Sequence, residues 1–572
     1  MHGSRTGDIK AGIAAGLAAV LLLIPLLAIV GTHGFWIVDN AAKFLQVQAF
    51  IAQDYASFSL PWPGREIDPS FHYNPLPGPF SVIRNGNLYA QYPPFFALLS
   101  SLLFRLLGMA GLYVLPLIGF AATMACMLRL ARHLDIPPAG QWLLVPAVFA
   151  ATPLWFYGLV FWEHLPATAL ACGAMLCLIS FAENRRGHIT GAILAALTLY
   201  FRDEMFLFCA VYLLIALCEK GTARARILRA VMIAGCMLAA VLPLFIFQWF
   251  ALGHPFGMHA QANLDGIGTH LSTRPLVFYR LFLATGPAKW AFLFFTLPVV
   301  LLFILRPAII EARRGLSLAL LSGWGLLALG IAAWQASLAV NPIAFLLSFN
   351  SFFSAFPLLL FATFRLDDGH PPPAERVLRT TVILYALAYM LAAPPISAQG
   401  AHWGNRFLLI LYPPCLLLAF RNLAMFLRAK DLKIAGSALL AVLAAASLLG
   451  QAYAFNLLRT KKDFSRRLNA ALSNRQESIV ITDTWWLPQA SYETFYAKTY
   501  LYVDSAESFG SLAEKLAAAG HTRALYVTQR PQSAPRVATV NDQGLDFFTV
   551  DLYAVPLARE EEWASGRRSR DR

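Results

Sequence analysis

The chain has 572 residues, of which 58% are hydrophobic and only 13% charged, about half the charged share of a soluble domain. This composition excludes an ordinary soluble enzyme, and apolar runs of roughly 17–25 residues, each long enough to cross about 30 Å of hydrocarbon, recur along it. The formal net charge of +14 would fit a nucleic-acid partner, but the placement of the basic residues excludes that reading.

In chain order the apolar runs fall near 11–31, 111–131, 141–160, 165–182, 188–201, 205–218, 228–250, 290–306, 315–337, 346–364, 377–395, 405–421 and 433–456. The first is longer than a secretory h-region and lacks a clear A-x-A site, so it is expected to remain as an uncleaved span. Arg129 and Arg132, Arg185 and Arg186, Lys220 to Arg229, Arg306 to Arg314, Arg365 to Arg379, and Arg421 to Lys433 occupy alternate loops. By the positive-inside rule those loops are cytoplasmic. The charge therefore describes topology. Residues 188–218 need a special reading, because Arg202-Asp203-Glu204 interrupts them and both flanks are basic. A hairpin of two short helices fits, its "FRDE" turn facing outward. The sum is an α-helical polytopic membrane protein of about 13 transmembrane helices, N-terminus cytoplasmic and C-terminus outside.

Two outer loops are long, 32–110 and 251–289. The apolar piece 95–107 in the first is too short to span and is expected along the outer interface. Past residue 457 the pattern changes. "ESIVITD", "KTYLYVD", "ALYVTQ" and "DFFTVDLYAV" alternate as strands do, and "SFGSLAEKLAAAG" has a helical period. This predicts a membrane domain over 1–457, a small extracytoplasmic α/β domain over 458–560, and a disordered tail over 561–572. All seven cysteines lie in apolar runs, which indicates packing rather than a disulfide framework.

Ionisable residues at membrane depth are costly and point to function. Several gather at the outer ends of spans: Asp39, Glu163-His164, Arg202-Asp203-Glu204, and His402 with Arg406. Each has a structural alternative. Asp39 would serve as a helix cap, Glu163-His164 as a solvated turn before Pro166, and Arg202 as a partner for its own neighbours. The Gly-Asn-Arg of "HWGNRFLLILYPP" instead offers a fork of donors at a helix start, suited to an anionic group.

In order, Asp39 after span 1, "QYPPFFALLSSLLFRLLG", Glu163 at the end of span 3, the Arg202-x-Glu204 turn, "LGHPF" after span 7 and "HWGNRFLLILYP" resemble the membrane-embedded glycosyltransferases of the GT-C class. In particular the pattern resembles the protein O-mannosyltransferases and the lipid A aminoarabinose transferase. The resemblance covers about residues 10–420. It departs where the mannosyltransferases carry Asp-Glu, since Asn40 follows Asp39 here, and in "YPPFF" for "HPPL".

The resemblance implies a polyprenyl-phosphate sugar donor and transfer to an acceptor hydroxyl on the outer face of a bacterial inner membrane, the C-terminal domain being periplasmic. Inverting transfer needs a base for the acceptor proton, and Asp39 is expected to fill that role; Glu163 is expected as a second catalytic acid that binds sugar hydroxyls or holds the arginines. Arg406, Arg202 and His402 are expected at the donor phosphate. Glu204, His164, Tyr92 and Asn40 are expected to contact substrate. The acceptor is a lipid, glycan or protein. No cofactor is expected, and no metal-ligand spacing accompanies these residues. A transporter or flippase would share the composition but would more commonly show internal repeats. A membrane anchor working through its C-terminal domain is the third class.

Overall fold

The computed structural model describes residues 3–181, 184–219, 221–257, 274–278, 281–282, 351–353, 355–363, 371–392, 403–428, 433–532, 534–541 and 549–557. The expected spans 290–306 and 315–337, part of 346–364, most of the second outer loop, His402 and the tail 561–572 lie outside the described residues. The described chain is mostly helical and groups into two compact units. One comprises residues 1–26, 115–246 and 260–456; the other comprises 27–114, 247–259 and 457–572.

The first unit is helical among its described residues. It is built from most of α1 (Gly3–Val30) with α4 (Val114–His133), α5 (Pro138–Ala151), α6 (Leu154–Gly158), α7 (His164–Ser180), α8 (Arg185–Leu197), α9 (Met205–Cys218), α10 (Ala223–Leu252), α11 (Arg274–Phe278), α12 (Pro373–Ala392), α13 (Tyr412–Arg428) and the start of α14 (Lys433–Ser473). Among the described residues, four stretches are long and apolar enough to cross a membrane: Lys10–Val30, Pro94–His133, Ala223–Leu252 and Arg406–Leu423. Apolar helices α5, α7 and α9 are shorter. Leu17, Leu21 and Leu22 on α1 and Leu228, Val231, Leu238 and Leu242 on α10 are exposed, as lipid-facing side chains are. Small residues let α1 and α4 approach, for a Cβ on Gly16 would come within 2.7 Å of the Ala121 carbonyl oxygen.

The interruption at "FRDE" is a real break. Helix α8 runs into a 3-10 turn at Thr198–Tyr200, and α9 starts afresh at Met205. Its two basic flanks meet, because Glu219 accepts from Arg229 at 2.5 Å and lies 3.9 Å from His188. Other basic loop ends meet likewise. His133 bonds Ser180 at 2.8 Å, and buried Glu375 joins Arg379 at 2.7 Å as well as Arg421. A polar clamp holds α14 to the α5–α6 corner. The Gln451 side-chain oxygen accepts the indole N–H of both Trp155 (2.9 Å) and Trp403 (3.2 Å), and the Ser447 hydroxyl donates to the Ala150 carbonyl.

The second unit joins residues 27–114, which hold the expected first outer loop, to the C-terminal residues. The loop supplies α2 (Val38–Ala52), a hairpin of β1 (Ser81–Arg84) and β2 (Asn87–Ala90), and α3 (Pro94–Leu107), which stops at Gly108 with φ +58°. The C-terminal part supplies β3 (Ile479–Thr482), α15 (Leu487–Ala490), β4 (Thr499–Tyr502), α16 (Ala506–Ala518), β5 (Arg523–Thr528), β6 (Arg536–Asn541) and β7 (Thr549–Pro556). The five strands form one mixed sheet in the order β4-β3-β5-β7-β6, parallel across β4-β3-β5 and antiparallel beyond. The loop packs on this layer through named bonds. Tyr502 N–H donates to the Tyr73 carbonyl (3.1 Å) beside edge strand β4, Trp62 Nε1 donates to the Tyr500 carbonyl (3.1 Å), and the Tyr496 hydroxyl donates to the Leu45 carbonyl (2.8 Å). Phe80 stacks on Trp485 at 4.9 Å with 9° between the rings. The loop and the strands thus share one compact unit.

Candidate active site

In the first unit, three segments at helix starts converge. Glu163 sits at the N-cap position of α7, Arg202 lies in the break before α9 and Glu204 at the N-cap position of α9, while Arg406 opens the 3-10 turn Arg406–Leu411 that leads into α13. The sequence Gly404-Asn405-Arg406 has a mechanical reason. Gly404 holds φ +56°, and a Cβ there would lie 2.6 Å from the Tyr412 hydroxyl and 2.8 Å from the Phe356 ring. Asn405 then caps the turn, its Oδ1 accepting the Phe407 N–H at 3.0 Å.

Arg202 is buried at 8% exposure and donates from Nη1 to Glu163 at 2.9 Å and from Nε to Glu204 at 2.6 Å. The pairing with Glu204 is the local one the sequence suggested; the pairing with Glu163 crosses from α7. Arg406 lies with its guanidinium carbon 4.8 Å from the ring centres of both Trp162 and Phe407, and that of Arg202 lies 5.3 Å from the same Phe407 ring. Two cations therefore share one aromatic ring, an arrangement that suits planar guanidinium groups better than ammonium. His164 is buried against Tyr157 (5.4 Å, stacked) and edge-on to Trp162 (4.6 Å). Phe407 and Trp162 were missed by the sequence reading, although each adjoins a residue it singled out.

In the second unit, Asp39 lies in the first turn of α2 and accepts the Tyr92 hydroxyl at 2.9 Å. Tyr92 is fixed at two further points. Gln46 donates its side-chain amide to the Tyr92 carbonyl at 3.1 Å, and Lys43 places its ammonium 3.6 Å from the ring centre. Both Lys43 and Tyr92 are buried. Asn40 turns back on the chain, its Oδ1 accepting the Ile37 N–H at 3.3 Å. Asp39 and Tyr92 are therefore direct partners, and Lys43 and Gln46 join them at the i+4 and i+7 positions from Asp39 on α2.

No family model matches the chain, and no curated protein matches it. Solved structures similar to it do exist. The crystal structure of ArnT from Cupriavidus metallidurans bound to undecaprenyl phosphate is 11% identical, with 97% of this chain and 100% of that chain covered and a TM-score of 0.49. ArnT from the same organism in the apo state is 14% identical, with 98% and 100% covered and a TM-score of 0.45. The oligosaccharyltransferase of Archaeoglobus fulgidus in the apo form is 13% identical, with 91% and 69% covered and a TM-score of 0.47. ArnT is the lipid A aminoarabinose transferase whose family the sequence motifs resemble.

Proposed function

We propose that this protein is a membrane-embedded glycosyltransferase. It moves a sugar from a polyprenyl-phosphate donor to an acceptor hydroxyl on the outer face of the membrane. The observation that carries the reading is the pair of guanidinium groups, Arg202 and Arg406, delivered from segments about two hundred residues apart to one Phe407 ring. Charge buried in an apolar helical unit is expensive and is kept where it serves a ligand. A phosphate leaving from the anomeric carbon develops charge that such a pair stabilises. Glu163 and Glu204 hold Arg202 in place and offer acceptors for sugar hydroxyls.

Asp39 is assigned as the base that takes the acceptor proton as the oxygen attacks and inverts the anomeric carbon. The Tyr92 hydroxyl fixes the position of its carboxylate. The topology proposed with this reading has thirteen spans, a cytoplasmic N-terminus and a periplasmic α/β domain in a bacterial inner membrane. Three contacts support the sidedness: the basic loop ends that meet at Glu219, at Glu375 and between His133 and Ser180 belong to loops assigned to one side.

Native mass spectrometry of the detergent-purified protein tests the donor site. A copurified lipid with the mass of a polyprenyl phosphate or its sugar adduct is expected, and Arg406→Ala is expected to lower its occupancy at least tenfold. Undiminished lipid in the variant removes Arg406 from the phosphate site.

A further inference from the structure

The parallel strands β4, β3 and β5 end on one side of the sheet, and a cavity of about 320 Å3 opens there. Its lining comes from the carboxyl ends of all three strands: Asp483 directly after β3, Asp504 and Ser505 after β4, and Arg530 and Gln532 after β5. This is also where strand order reverses. The chain leaves β3 toward β4 on one flank, while β5 lies on the other flank and leads away to β6 and β7. In open α/β sheets the loops diverge at that point and leave a crevice for ligands. The volume lies at the low end of the range for small-molecule sites, about 300–1,000 Å3.

The groups in the crevice are of mixed sign. Asp483 is largely buried and Arg530 mostly exposed, and the two are 3.7 Å apart. An ion pair with one exposed partner is weak, so Arg530 can turn toward a ligand at little cost. Tyr526 also lines the crevice, with Phe509 edge-on to it at 5.1 Å. Burial first, then the charge of Asp483 and a hydrogen bond to it, hold the Tyr526 phenol above its ordinary value, so at neutral pH it is a donor. Ser505 caps α16 by accepting the Ser508 N–H at 3.1 Å. An anion would meet two carboxylates here and a simple cation would meet the guanidinium. A neutral polyhydroxylated ring donates to the carboxylates, accepts from Arg530 and Gln532, and has an apolar C–H face to set against an aromatic ring.

We propose that this crevice is a carbohydrate-binding site, taking a neutral glycan in the C-terminal part of the protein. The proposal does not depend on the transfer chemistry assigned above. The test is equilibrium binding to the full chain in nanodiscs, with chitotriose, mannotriose and maltotriose as neutral probes and spermidine and pyrophosphate as charged ones. At least one trisaccharide is expected to bind, with its Kd raised tenfold or more in Asp504→Ala and in Asp483→Asn. Asp504 is exposed, so Asp504→Ala keeps the test valid even if Asp483→Asn loosens the fold. Three outcomes overturn the proposal: no trisaccharide binds, trisaccharide affinity is the same in Asp504→Ala, or only a charged probe binds and is lost in that variant.

Discussion

Replacing Lys462 by Met isolates the cost of one buried amine. Lys462 lies on α14 beyond the last expected span and is 1% exposed. Its Nζ donates to the Gly31 carbonyl and to the Tyr113 hydroxyl, two acceptors that a neutral amine can satisfy with its two protons. Burial, aided by the charge of Arg466, pushes its pKa from 10.5 down to about 7. At 1.36 kcal/mol per pKa unit this corresponds to about 5 kcal/mol. Because the folded-state value is depressed, the unfolded chain binds the extra proton between pH 7 and 10.5. Stability from this site is therefore complete above about pH 10.5, falls as pH drops, and levels off below about pH 7. Tyr113 keeps a partner in the variant, since its hydroxyl also reaches the Thr32 carbonyl at 3.1 Å. Thermal unfolding of wild type and Lys462→Met in detergent, from pH 6 to 10.5, gives the difference curve, in which other titrating groups cancel. Wild type is expected to gain about 3–4 kcal/mol relative to the variant between pH 7 and 10. A difference that does not change with pH refutes the buried-amine reasoning.

Asp39→Asn is expected to lower kcat by about 10²–10⁴-fold with KM for the donor nearly unchanged, and Tyr92→Phe by a smaller factor, in a turnover assay with a polyprenyl-phosphate sugar. Arg202→Met leaves Glu163 and Glu204 without their shared cation and is expected to destabilise by about 3–5 kcal/mol, seen as a lower Tm; an unchanged Tm would mean that the ion triad is not closed in solution. Gln451→Leu removes the common acceptor of the Trp155 and Trp403 indoles, at a cost of about 2 kcal/mol, with a shift in tryptophan emission as the accompanying signal.

Periodicity carried much of this architecture. The break at "FRDE", the separate short helix after "YPP" and four of the five C-terminal strands follow from hydrophobic spacing and from where polar residues interrupt it. Strand β6, "RVATVN", escaped because it is an edge strand with little buried on either face, so its pattern barely departs from a polar loop. The charged members of the candidate site were visible because charge is conspicuous against an apolar background. Phe407 and Trp162 were not, since an aromatic in an apolar run looks the same whether it packs the core or carries a guanidinium. Lys462 was hidden for another reason. Its burial is decided by residues more than three hundred positions away, and "LLRTKKDFSRRL" by itself reads as a solvated helix.

The junction of the first outer loop with the C-terminal strands bears on biogenesis. Phe35 N–H bonds the Ser465 hydroxyl and Gly34 N–H the Tyr492 hydroxyl, across sequence separations of 430 and 458 residues. At translation rates of about 5–20 residues per second, the loop leaves the ribosome roughly 20–90 s before its partners exist. During that interval Trp62, Phe80 and the helix bearing Asp39 lack the layer they pack on. A chain that ends before Ser465 therefore lacks the partners of Phe35 and Gly34 and leaves the Asp39 segment without the support those bonds give.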